Sequence, residues 1–522
     1  MRLALMCALA GAFVVTGCDG DDEDPDSGMM MMGDEDSGMM MMEEDAFVPP
    51  GSPICDEEAL SDEQADHLGD VESERLDDDL GFDEMARLTD AAVNNTFDTD
   101  PMIPAGSGDI TDPDYMPGAA LAGATPEFNS HAPSGWGDTS VTFAGALEMG
   151  GDDWTDGWTD FPTDGGADCD PSSGTTVDSD VTTDTTWSGC VVMQGKIFVT
   201  DGATLTIDPG TIVLGEDAAG DAAALLVTRG SQLQANGTAT DPIVFTSAVP
   251  TGSRATGDWA GVALLGASTT NDGECTGSAA DCSDGFLQDR IEGIDPSDDR
   301  GLYGGTEEDS SCGSLQYVRI EYAGREFSPD NELNGLTLGA CGSGTTLSYI
   351  QVHRGKDDGI EFFGGTASLD HIVISGASDD SLDFDEGWRG NGQFIIIHQF
   401  DGIGDRGIES DNLGANESAE PRTRPNLWNV TMIGGGGHQV AMHREGMQGI
   451  MGNFVVTGHE AALDVRASTA DPGTSWDDGD FRIRDSYYYD VGDFAQEDLD
   501  EAAVCQEAAD TYSGAGDWPT AD

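Results

Sequence analysis

Basic residues are scarce in this 522-residue chain. Twenty Lys and Arg stand against 101 Asp and Glu, for a formal charge of −81. So acidic a chain repels nucleic acid and anionic membrane surfaces, which argues against both as partners. It attracts divalent cations, or simply stays solvated in a salty medium. Aromatic residues are few, at 7%, and no apolar run reaches the ~20 residues that a membrane-crossing helix needs. The sequence also lacks a nucleophile elbow, a phosphate loop, a dinucleotide-binding fingerprint and an EF-hand loop. No Cys-x-x-Cys pair is present, which weighs against structural zinc. Glycine, by contrast, is abundant at 72 residues, as suits a β-rich chain with many turns.

The chain opens with Met1-Arg2 and an apolar run from Leu3 to Val15, followed by Thr16-Gly17-Cys18. One positive charge, a short apolar stretch and small residues are the parts of a secretory signal. Val15-Thr16-Gly17-Cys18 resembles the lipobox of bacterial lipoproteins. That resemblance implies cleavage before Cys18, lipidation of its thiol and attachment to a membrane by acyl chains alone. The acidic residues Asp19 and Asp21–Asp24 are compatible with retention at an inner membrane or with export to the cell surface. The surface of the outer membrane is the expected location.

Export agrees with the cysteine count. Apart from Cys7 and Cys18, eight remain, an even number in an exported chain, which suggests disulfides. The expected pairs are Cys169 with Cys190, Cys275 with Cys282, and Cys312 with Cys341.

Composition divides the chain. After a signal over 1–17, residues 18–52 hold Ser27-Gly28 and Ser37-Gly38, each followed by four methionines, among acidic residues. Such a segment cannot build a core and reads as a flexible linker. Residues 53–168 read as a small α/irregular region, with short helices predicted over Ser61–Leu68 and Asp83–Val93. The stretch Asp152-Asp153-Trp154-Thr155-Asp156-Gly157-Trp158 stands out there without an evident role. Residues 169–500 form the main body, and 501–522 a tail or cap.

In the main body, short β-rich runs alternate with Gly-containing turns: Lys196–Thr200, Thr204–Ile207, Thr211–Leu214, Leu225–Val227 and Ile243–Thr246. They also repeat. Gly335-Leu336-Thr337-Leu338 aligns with Gly359-Ile360-Glu361-Phe362, then with Ser381-Leu382-Asp383-Phe384 and Gly407-Ile408-Glu409-Ser410. A second set runs through Tyr349–Val352, His371–Ile374, Phe394–Ile397, Asn429–Met432 and Asn453–Val456. A period in the low twenties made of short strands is one turn of a parallel β-helix, and the leucine-rich-repeat signature is absent. The fold class is therefore all-β, a right-handed parallel β-helix. Alternation places Ile360, Phe362, Leu382, Phe384 and Ile408 inside.

Several stretches also resemble a family of bacterial surface lipoproteins and secreted proteins with right-handed β-helices. They are Gly202–Thr211, Asn236–Ala239 with Pro242–Ser247, Gly257–Gly261, Tyr317–Gly324 and Asp357–Gly365. The resemblance spans about residues 185–500 and implies the fold and a surface location, with no settled activity.

The register has a chemical consequence. Glu361, Asp383 and Glu409 fall at equivalent outward positions on successive coils. Asp357, Asp379 and Asp405 form a second column. Asp358 and Asp380 lie beside it with Arg406 on the third coil, and Asp385 and Asp411 follow. Coils lie about 4.8 Å apart. Two like charges at that spacing repel by about 1 kcal/mol in water and about 3.5 kcal/mol at an effective dielectric near 20. Compensation comes from bound Ca²⁺, a shared proton, or pairing with Arg389 or Arg406. These ten acidic residues are the expected metal ligands, with Ca²⁺ the expected ion. A site of His438, His443 and Glu445 is a lesser metal candidate.

Enzymatic signals are partial. Asp357-Asp358 and Asp379-Asp380, with Gly437-His438 and Arg444 downstream, resemble polygalacturonases in outline. The Asn-Thr-Asp, Gly-His-Gly and Arg-x-Lys triplets are missing, however. Lys356 and Arg354 are the candidate bases for a lyase. The expected function is a lipid-anchored, surface-displayed, non-enzymatic β-helix for adhesion, which binds glycan, matrix or a neighbouring cell through a polysaccharide or surface protein, with Ca²⁺ as structural support. The alternatives are a Ca²⁺-dependent polysaccharide lyase or glycoside hydrolase, and a purely structural envelope protein.

Overall fold

Runs of branched apolar residues interrupted by Gly and Asp cannot continue as long strands, so the chain coils. The computed structural model describes residues 84–492, apart from 98, 104–110, 112, 219–220, 280–281, 329–330, 436–438, 460 and 467–471. The signal, Cys18, the Met-rich segment, the helix predicted over Ser61–Leu68, His438 and residues 501–522 lie outside the described residues.

Each coil contributes one strand to a nine-stranded, all-parallel sheet. In spatial order its strands are Lys196–Val199, Ala224–Val227, Gly261–Leu265, Leu336–Gly339, Ile360–Phe363, Leu382–Asp385, Arg406–Ser410, Gln439–Arg444 and Ala461–Arg466. Leu336, Ile360, Leu382 and Ile408 are paired in register, as the repeat predicts.

The rest of each coil enters a seventeen-stranded sheet through longer strands: Gly313–Glu321, Thr346–His353, Ser368–Ser375, Asn391–His398 and Asn426–Ile433. These strands turn a corner midway. Tyr317, Tyr349, His371, Phe394 and Asn429 occupy the left-handed region there, with φ from 49° to 58°. Side chains seldom adopt that conformation, which costs about 1–2 kcal/mol each. The cost is offset outside the corner, where Tyr317 stacks on Tyr349 at 4.4 Å, Tyr349 on His371 at 4.5 Å, and His371 packs on Phe394 at 4.8 Å.

The interior is one continuous apolar stack that includes Ile360, Phe362, Leu382, Phe384 and Ile408, all fully buried. The described residues before the coils lie along the outside of the seventeen-stranded sheet. Solenoid amides hold their backbone: Asn129 N–H donates to Asn391, Asp138 N–H to Gln393 and Asp160 N–H to Gln351. The unexplained tryptophans belong to this arm. Trp154 and Trp158 set their ring edges against the Tyr317–Tyr349–His371 stack.

The helix predicted over Asp83–Val93 is five residues long, Glu84–Leu88. An Asp90 turn, whose carboxylate accepts from Ala92 N–H at 2.8 Å, ends it early. All three expected disulfides form, with Cα separations of 5.8, 5.6 and 5.8 Å.

Two insertions cover part of the nine-stranded sheet. Residues 267–311 carry a small antiparallel sheet of Glu274–Cys275, Leu287–Arg290 and Leu302–Tyr303, and the hairpin Arg325–Ser328 with Asn331–Leu333 follows. Ile291, Ile294, Tyr303 and Leu333 from these insertions pack on the outward side chains Phe198, Leu226 and Ala263.

Candidate functional site

Strand alternation turns Glu361, Asp383 and Glu409 away from the core, and pairing stacks them directly above one another. Asp358 and Asp380 occupy the turns just before their strands. Their carboxylates are built into the backbone. Asn334 Oδ1 accepts from Asp358 N–H at 3.0 Å, Asp358 Oδ1 from Asp380 N–H at 2.9 Å, and Asp380 Oδ1 from Arg406 N–H at 2.7 Å. This ladder satisfies turn amides that would otherwise be buried unpaired. Asn334 also donates through Nδ2 to Glu361.

The acidic face is less open than alternation suggests, at Glu409 and at the turn carboxylates, while Glu361 and Asp383 are half-buried. Glu409 is 8% exposed, Asp358 7% and Asp380 4%. Burial, followed by the neighbouring carboxylates, pushes Asp358, Glu361, Asp380, Asp383 and Asp385 well above the usual carboxylate range. Asp357 rises to about 7, first from burial and then from Asp379. Glu409 is the exception. Burial opposes its charge, but a hydrogen bond from Asp380 and the guanidiniums of Arg444 and Arg406 outweigh it and hold its pKa down.

Arginine compensation is confined to one end. Arg406 pairs with Asp405 and lies 3.0 Å from Glu409. Arg444 grips Asp411 through Nε at 2.8 Å and Nη2 at 2.7 Å, and also pairs with Glu409. Arg389, the other expected partner, turns away to Glu308 at 2.9 Å. It follows Trp388, whose ring packs inward on Phe362 and Phe384, so the chain has already left the acidic face. Lys356 pairs with Glu326 at 3.4 Å.

Asp358, Glu361 and Asp383 form a different group. One oxygen from each lies within 4.8 Å of the others. Asp383 Oδ1 is shielded from solvent and has no hydrogen-bond partner, and the same is true of Asp385 Oδ1. A Ca²⁺ ion binds oxygens at about 2.3–2.6 Å, so two oxygens on one ion lie at most about 5 Å apart. The three carboxylates meet that limit and leave coordination positions for water or a ligand hydroxyl.

Two further groups meet the same spacing. Asp379, Asp380 and Asp405 do so beside Arg406, which pairs with Asp405. Asp272, Asp289 and Glu386 do so on the far side of Asp385. There Glu386 accepts from Tyr303 at 2.9 Å and Thr270 at 2.8 Å, and burial followed by Asp289 raises it to about 8.

Of the expected histidine site, His438 lies outside the described residues. His443 lies inside the solenoid, 2% exposed, bonded to Ser410 and packed on Phe481, because alternation turns it inward while Glu445 sits beyond the strand end.

Sequence reasoning missed Arg444 as a counterion, although extending the register one coil past Asp411 reaches it. It also missed Asn334, the head of the turn ladder, and the Glu386 group. Asp272 and Asp289 come from an insertion that no repeat can place.

A family model of the pectate-lyase-like beta helix domain matches residues 174–519, two thirds of the chain, and the chain belongs to that family. No curated protein and no solved structure matches it.

Proposed function

We propose that this member of the pectate-lyase-like β-helix family binds glycans on the acidic face of its nine-stranded sheet. A divalent cation, Ca²⁺ by the hardness and number of the oxygens, is held there by Asp358, Glu361 and Asp383. The carrying observation is the contrast between neighbouring coils of the acidic face. Glu409 and Asp411 are neutralised by arginine, whereas one coil away three carboxylates converge within 4.8 Å and Asp383 Oδ1 has no partner. A cation there reverses the local field and presents open coordination positions to sugar hydroxyls or carboxylates. Display on the cell envelope through lipidated Cys18 completes the reading, supported by the Val15–Cys18 sequence. The test is calorimetric titration with Ca²⁺, with and without an uncharged oligosaccharide panel. Saturable Ca²⁺ binding that disappears in Asp383→Asn supports the site. Absence of Ca²⁺ binding to the wild type removes it.

The alternative is a polysaccharide lyase or hydrolase. It draws on the family and on Asp380, whose carboxyl burial and Glu409 push well above the usual range, a direction suited to general acid work. Of the two candidate bases for a lyase, Lys356 is engaged by Glu326 and Arg354 packs over the ring of Phe400 at 5.5 Å. Release of reducing ends or unsaturated uronates, lost in Asp380→Asn, would establish catalysis. A chain that binds neither cation nor glycan would be a structural envelope protein.

A further inference from the structure

In a chain with 20 basic residues, three of them line one cavity. Arg389, Arg422 and Arg424 surround a space of about 400 Å³ with His131, Glu420 and Gln448 on its walls. The cavity lies where the arm meets the coils, past the acidic column. Its wall residue Pro421 packs against Gly387, next to Glu386.

The walls are fixed by backbone bonds between coils. Arg389 N–H donates to Gly365 at 2.9 Å, Arg424 N–H to Trp388 at 2.8 Å, and Gln448 N–H to Thr423 at 2.8 Å. Two of the arginines have carboxylate partners: Arg389 pairs with Glu308 at 2.9 Å and Arg424 with Asp480 at 2.5 Å.

Arg422 differs. It forms no ion pair with a described residue, and its Nη1 is anchored to the Gly446 carbonyl at 2.5 Å. Its Nε, like that of Arg389, is shielded from solvent and has no hydrogen-bond partner. The one carboxylate in the wall, Glu420, accepts instead from the backbone N–H of Arg422 at 3.1 Å. A positioned guanidinium with donors to spare, inside a cavity large enough for a small ligand, suits a carboxylate or sulfate group.

We propose that this cavity binds a single oxyanion, carboxylate or sulfate, with Arg422 as its principal contact. The net charge of −81 disfavours a polyanion, so the group is an isolated one on an otherwise neutral molecule. The oxyanion site stands on its own geometry; only its carrier, a glycan, rests on the function proposed above.

The test is calorimetric titration of the full chain at constant ionic strength. The probes are sodium sulfate, sodium acetate and a mono-sulfated disaccharide, with chloride and the unsulfated disaccharide as controls. Sulfate or acetate should bind saturably where chloride does not. Arg422→Gln should weaken binding about tenfold or more, the loss expected of one charged hydrogen-bonding group. Arg422→Lys, which keeps the charge but not the fork, should lie between, with far-ultraviolet circular dichroism confirming that both variants fold. Chelator and Asp383→Asn should leave oxyanion binding intact, which separates this site from the cation site. If sulfate binds and the disaccharide binds no better, the oxyanion site holds and its glycan carrier falls. If neither anion binds, or if Arg422→Gln binds as well as the wild type, the proposal is overturned.

Discussion

The outer face of the nine-stranded sheet has two halves with the same backbone and opposite chemistry. In the first coils the outward column is Phe198, Leu226 and Ala263, covered by Ile291, Ile294, Tyr303 and Leu333. In later coils the same column is Glu361, Asp383 and Glu409. Thr337 marks the change. A parallel solenoid places each residue over its equivalent one coil away, so whatever class recurs is stacked. Stacked apolar groups gain by burial, about 25 cal/mol per Å². Stacked carboxylates repel, and need a counterion, a proton or a metal. The apolar half therefore reads as stability. The acidic half is held at a cost that arginine pairing relieves at Asp405, Glu409 and Asp411.

Reversing the chemistry in each half tests this contrast. The largest effect is expected from Leu226→Asp, which puts an unpaired carboxylate under the insertion. It should destabilise by about 5 kcal/mol or more, read as a fall in the urea midpoint. An unchanged midpoint would mean that the insertion does not seal that face.

Arg444→Met comes next. It leaves Glu409 and Asp411 without their main partner, and because Arg444 is 36% exposed the loss should be about 2–3 kcal/mol rather than the full cost of a buried pair. A neutral outcome would show that the acidic half is already screened by solvent.

Glu321 separates burial from stacking. It is fully buried on the other sheet, 3.2 Å from Arg319, and stands outside the carboxylate column. Burial, only partly offset by Arg319, raises it from 4.5 to about 7. The fold favours its protonated form, so its contribution is complete below about pH 4.5 and is lost as pH rises towards 7. Thermal unfolding from pH 4 to 8 should show that decline, on the order of 2 kcal/mol, and Glu321→Gln should flatten it. The same slope in wild type and variant would assign the pH dependence to the stacked carboxylates instead.

The smallest effect, and the most diagnostic, belongs to Asp383→Leu. Without metal it should raise stability by about 1–2 kcal/mol, because it removes repulsion from both neighbours. It should also abolish any rise in unfolding temperature on adding Ca²⁺. Destabilisation in chelator would mean that Asp383 supports the fold rather than burdening it.

Much of this was legible from the repeat. A strand period of two and a coil period in the low twenties suffice to align Leu336, Ile360, Leu382 and Ile408, and so to stack Glu361, Asp383 and Glu409. The long coil between Asp411 and Arg444 broke the visible period and hid the counterion. The Asp272–Asp289–Glu386 group and the Arg389–Arg422–Arg424 cavity join residues from different insertions and turns, which no periodicity relates.

Local chemistry written along the chain thus determined the β-helix, its register, the three disulfides and the acidic column, because each depends on alternation or on equivalent positions in adjacent coils. Only the tertiary structure decided which carboxylates are shielded, which pair with arginine, and that Arg422 in the cavity forms no ion pair with a described residue. Those outcomes depend on how insertions and the N-terminal arm settle on the solenoid, and on burial that converts a sequence of charges into a set of energies.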